Sequence, residues 1–143
     1  MEESIKYLKE QFGLGEVDIR TYSPLVLAYI GDGIYELVIR TILVSKGNCQ
    51  ANVLHKKASS HVKASAQAAM ITALQDELTE EELHIFKRGR NAKAVTMAKN
   101  ATMHDYRYAT GFEALMGYLY MTNQMERMID LVKMGMEKTG GLP

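Results

Sequence analysis

Apolar positions recur along most of the chain at three- and four-residue spacing, the period of a helix with one face turned inward. A first short helix is predicted over 2–12, stopped by the glycines at 13 and 15. Ser23-Pro24 is a strong start signal, with Ser as N-cap and Pro at the first helical position. The helix it opens should run to Lys46 and stop at Gly47-Asn48. A third helical region spans 52–74, with a break expected near Ser59-Ser60. Thr79-Glu80-Glu81-Glu82 is a capping box that opens a helix reaching Arg88. Residues 89–103 keep no clean period and read as a basic loop. Asp105 is the expected cap of a helix running through Tyr120, and a last amphipathic helix covers 124–137, ended by Gly140-Gly141. Proline occurs only at Pro24 and Pro143, and no hairpin signal stands out, so the fold class is all-α.

The helix from Pro24 to Lys46 is apolar around most of its circumference, which predicts burial. Asp32, Glu36 and Arg40 form one polar line through its middle, which argues against a membrane span. A chain this small has few other helices to cover such an element, so an identical partner subunit is expected. Gly31 and Gly33 flank Asp32, and each costs roughly 1 kcal/mol against Ala in a helix interior. Close approach of another backbone or a ligand would offset that cost. A carboxylate between them wants a base, a metal or a hydrogen-bond network. Glu113 is a second lone acid, set among small and apolar residues of a later helix; as a core acid it would pair with Arg107 or Arg40. Two such acids suggest a Mg²⁺ site, since that ion takes carboxylates and water and keeps positions open for phosphate oxygens.

Composition sets the frame. The 143 residues suit one domain, and 47% hydrophobic with 24% charged residues is ordinary for a globular chain. One cysteine excludes an internal disulfide framework and a Cys-rich zinc site. The acidic, amphipathic start shows no signal peptide, so a cytoplasmic location is expected. Net charge is zero, which by itself argues against a polyanion partner. Sorted by position, the picture changes. Residues 1–36 hold seven acids and three bases, whereas 37–104 hold ten bases and five acids. All five of those acids fall in 76–82, leaving two acid-free basic tracts, 37–75 and 83–104. A local field of this kind can meet a polyanion, although a basic face that only faces solvent has the same composition.

The run Tyr29-Ile30-Gly31-Asp32-Gly33-Ile34-Tyr35-Glu36 resembles the signature of the ribonuclease III family, and Phe112-Glu113-Ala114-Leu115-Met116-Gly117 resembles its second motif. Leu27–Asp32, Leu54-His55-Lys56-Lys57, the run from Lys87 to Lys93, and Tyr106-Arg107-Tyr108 with the Phe-Glu-Ala-Leu block are similar to the Mini-ribonuclease III subfamily. The resemblance covers roughly residues 18–135. It implies a helical, homodimeric ribonuclease III catalytic domain, here the single domain 1–143, without a separate double-stranded-RNA-binding domain. It implies Mg²⁺-dependent cleavage of double-stranded RNA, with Mn²⁺ as a substitute, in maturing the ends of precursor 23S ribosomal RNA. Asp32 and Glu113 take the metal-binding and catalytic positions. The family has further acids where this chain has Ala28 and Thr110, which puts a full two-metal arrangement in doubt. Glu36 lies one turn beyond Asp32, where a pair with Arg40 is the favoured reading. RNA contacts are expected from His55, Lys56 and Lys57, and from Lys87, Arg88, Arg90, Lys93 and Lys99 on the basic loop.

Two other readings compete. His104-Asp105 matches the dipeptide of metal-dependent HD phosphohydrolases, with His84 and Asp130 as nominal partners, but an isolated dipeptide has a high false-positive rate. A non-catalytic RNA-binding or ribosome-associated helical protein is the alternative from another class, and the presence of both Asp32 and Glu113 argues against it. Met121, Met125 and Met128, at helical spacing, read as packing residues, and Cys49 as a bystander in a loop.

Overall fold

A computed structural model describes residues 1–93 and 102–143, and every regular element among them is helical. The seven helices are α1 (Glu2–Gln11), α2 (Pro24–Lys46), α3 (Ala51–Val62), α4 (Ala64–Ala73), α5 (Glu80–Asn91), α6 (Met103–Met121) and α7 (Met125–Thr139). Single 3₁₀ turns lie at Ile19–Thr21 and Gln75–Glu77.

The start signals act through the expected chemistry. Ser23 Oγ accepts the Val26 N–H at 3.2 Å, with Pro24 at the first helical position. Thr79 and Glu82 close the capping box, at 3.1 Å and 2.9 Å. Three boundaries differ from the expectation. The cap of α6 is Thr102, whose hydroxyl accepts the Asp105 N–H at 3.0 Å, so Asp105 lies inside the first turn. The break between α3 and α4 falls at Lys63, which is extended (φ −63°, ψ 153°), and not at Ser59-Ser60. Those serines are helical, with their hydroxyls donating back to the His55 and Lys57 carbonyls, at 2.9 Å and 2.7 Å. Helix α5 continues through Asn91, so Gly89 and Arg90, expected in the basic loop, are helical; residues 94–101 of the expected loop lie outside the described residues.

The hub is α6, which packs against α2, α4, α5 and α7. Phe112, Ala114, Leu115, Met116 and Leu119 on it are fully buried, and Phe112 meets Tyr35 of α2 edge-on at 5.0 Å. From α7, Met128, Leu131, Val132 and Met136 close the core, with Met121 and Met125 packed at its margin, the role expected of the methionines.

Burial of α2 is the main correction. One face is inside: Leu27, Ala28, Gly31, Ile34, Tyr35, Ile39 and Leu43. The opposite face is open, with Leu25, Val26, Leu37 and Val44 exposed and Tyr29 83% exposed. A single chain of this size cannot surround the helix, so among the described residues the apolar side chains beyond one face stay largely uncovered.

Candidate active site

Glycine builds the site by letting two helix backbones touch. A methyl group at Gly31 of α2 would overlap the Glu113 carbonyl of α6, and one at Gly117 of α6 would overlap the Leu27 carbonyl of α2. This is the close approach that offsets the helical cost of Gly31. Gly33 has open space around it among the described residues, so their packing does not account for it.

The crossing brings the side chain of Asp32 to that of Glu113. Asp32 is exposed and Glu113 half-buried, so the expectation of two buried acids holds for neither in full. Burial, and the Asp32 carboxylate within hydrogen-bonding reach, push Glu113 up to about 8, while the Gln67 amide of α4 pulls the other way. Glu113 pairs with neither Arg107 nor Arg40. Tyr35, fully buried, faces the same acid; its hydroxyl donates to the His61 carbonyl at 2.9 Å. Burial, then the nearby Glu113, raise its pKa.

A hard divalent cation fits these groups. The donors are oxygens, one carboxylate opens to solvent, and two adjacent carboxylates repel each other until a positive charge lies between them. The set is small. Among the described residues no three or more His, Cys, Asp or Glu side chains gather at one point. Ala28 is buried and offers no ligand atom on its side chain, and Thr110 offers a neutral hydroxyl, which donates to the Tyr106 carbonyl at 2.9 Å, in place of a carboxylate. Glu36 pairs with Arg40 at 3.0 Å, as the spacing suggested.

The basic residues fall on two separate elements. His55, Lys56 and Lys57 are exposed on α3, where His55 and Arg40 line one shallow cleft and Lys57, Lys46 and His61 line the next, beside the exposed Cys49. Lys87, Arg88 and Arg90 project from the last turns of α5, and Lys93 follows it. The Arg90 guanidinium stands 5.7 Å over the Phe86 ring. Lys99 lies outside the described residues. His104 Nδ1 meets Asp105 at 3.2 Å and stacks on Tyr108, a local pair without His84 or Asp130 in any metal-sized group among the described residues.

Two features of the fold escape sequence reasoning. Gln67 is 2% exposed, and its one visible signal is being the sole amide in the alanine-rich start of α4. The Glu82–Arg127 pair joins α5 to α7 across 45 residues, a separation no local pattern reveals.

Comparison with known proteins follows the same lines. The family model for the ribonuclease III domain matches residues 25–124. A Mini-ribonuclease 3 of Clostridium tetani is 50% identical over 129 residues, 90% of this chain and 84% of that protein. One from Enterococcus faecalis is 50% identical over 125 residues, covering 86% and 95%, and one from a Thermoanaerobacter species is 44% identical over 138 residues, covering 96% and 97%. A crystal structure of a Fusobacterium nucleatum protein superposes with a TM-score of 0.77 at 32% identity, over 89% of this chain and all of that one.

Proposed function

As a member of the ribonuclease III family, and of its Mini-ribonuclease 3 group, the chain is an endoribonuclease, and we propose that Asp32 and Glu113 are its metal-binding and catalytic pair. The observation that carries this reading is the helix crossing that sets the two carboxylates side by side. Asp32 holds the solvent side, where a phosphodiester can approach. Glu113 holds the protein side and must give up its proton to bind a cation, which couples metal binding to proton release. Bound Mg²⁺, with Mn²⁺ as a substitute, supplies charge at the phosphate and an activated water.

The substrate we propose is double-stranded RNA, in the cell the duplex ends of precursor 23S ribosomal RNA. His55, Lys56 and Lys57 on one side, and Lys87, Arg88, Arg90, Lys93 and Lys99 on the other, contact its phosphates. The whole chain acts as one catalytic domain, in the cytoplasm. No described helix is long and apolar enough to cross a membrane. The open face of α2, with Val26, Tyr29, Gly33, Leu37 and Val44 in one stripe, is the proposed contact with a second copy. The dimer presents two sites, one for each RNA strand.

Incubation of a labelled RNA duplex with Mg²⁺ tests this. The wild type is expected to cut, and Asp32→Asn and Glu113→Gln to lose at least about 100-fold in rate, the usual scale for removing a key charge-stabilising group. Binding without cleavage by the wild type would favour the non-catalytic RNA-binding alternative; full activity in both variants would reject the site.

A further inference from the structure

Gln67 lies 2% exposed where α4 faces α6, beside Glu113. Its amide is oriented by the end of α3: Nε2 donates to the Val62 carbonyl at 2.7 Å. Turning the amide over would set Oε1 against that carbonyl, so the acceptor is held on the other side. The same helix end is fixed a second time by the Tyr35 hydroxyl on the His61 carbonyl. Oε1 is left as the buried side-chain polar atom without a hydrogen-bond partner among the described residues.

Buried acceptors are normally paired, and leaving one bare carries a penalty that the Val62 bond of the same amide does not remove. Without a cation the protonated Glu113 carboxyl, beside Gln67, can supply the donor. Once Glu113 is ionised to hold a cation, it and Asp32 only accept, and the Tyr35 hydroxyl is already committed to His61. In that state the donor to Oε1 comes from a molecule bound at the site.

We propose that Gln67 is a positioning residue of the metal site, its Oε1 accepting a hydrogen bond from a water in the coordination shell of a divalent cation held by Asp32 and Glu113. This rests on the metal-binding reading of those two acids. A neutral, buried acceptor gives the shell a fixed orientation without a third negative charge, in a site where Ala28 and Thr110 add no carboxylate. Outer partners of this kind change metal affinity by about 10–100-fold.

The test uses Mn²⁺ alone, titrated into the full-length protein without RNA and followed by loss of the free-ion EPR signal, with thermal melts in EDTA beside it. Gln67→Leu is expected to stay folded and to bind Mn²⁺ at least about tenfold more weakly. If the leucine variant does not fold, Gln67→Met, which keeps the unbranched shape, is read in its place. Wild-type Mn²⁺ affinity in the apolar variant would overturn the proposal. No Mn²⁺ binding by the wild type would sink the metal-site reading and this inference together.

Discussion

Glu82 and Glu113 show how placement gives one residue type opposite tasks. Glu82 is 4% exposed and fully engaged. It accepts two bonds from Arg127 at 2.8 Å and one from the Thr79 N–H at 2.9 Å, while Arg127 also donates to the Glu77 carbonyl at 2.8 Å. The Arg127 guanidinium, foremost, holds the Glu82 pKa below its ordinary value. Stability from this pair is therefore present above the unfolded value of 4.5 and is lost as pH falls through the lower folded value. Arg127→Ala leaves a buried, part-paired carboxylate and is expected to cost about 2 kcal/mol. A thermal melt at pH 7 should show a fall of roughly 5 °C, and the gap to wild type should narrow at pH 3. Among the described residues Glu113 has no basic partner of this kind, and its side chain faces another carboxyl group. The first arrangement holds helices together; the second is the pair proposed to hold a cation.

Helix packing depends on where glycine removes a side chain. Gly31 and Gly117 let α2 and α6 touch, and Gly89 does the same for α5, where an added methyl group would meet Ala114 and the Gly111 backbone. Gly31→Ala is expected to destabilise by about 3 kcal/mol, because backbone cannot move aside as a flexible side chain does. Gly33→Ala meets nothing among the described residues and should leave the isolated fold unchanged or up to about 1 kcal/mol more stable. Chemical denaturation of the two variants reads the contrast; equal losses would reject the assignment of Gly31 to the helix crossing. The two glycines are indistinguishable in sequence, one residue either side of Asp32. The helical period puts one on the α6 face and the other on the open face. The helices themselves were readable because caps and stops are local. The α5 end was not, since Gly89 breaks a pattern yet is retained by packing against α6.

The whole molecule carries an apolar stripe on α2 and two basic elements that are apart in the fold. If the stripe joins two copies, the wild type should sediment as a dimer and Leu37→Glu as a monomer, because a charge cannot be buried unpaired at such a contact. A monomeric wild type at micromolar concentration would reject the dimer. For RNA, the double variant Arg88→Ala, Arg90→Ala should bind a duplex more weakly at every sequence. Its slope of log K against log salt should flatten by roughly 1 per lost phosphate contact. An unchanged slope would remove these arginines from the interface. Arg90 also stands over Phe86, so a melt must accompany the titration.

Residue order alone determined the all-α class, the caps of α2 and α5, and Asp32 and Glu113 as the acids to watch, because helical period and capping chemistry act over three or four residues and the motifs around both acids are contiguous. Tertiary structure decided which face of α2 is inside, how Asp32 and Glu113 meet, the orientation of Gln67, and the pairing of Glu82 with Arg127. Those outcomes turn on contacts between helices far apart in the chain, where a missing side chain at Gly31 or Gly117 sets how close two backbones come. No local pattern encodes that distance.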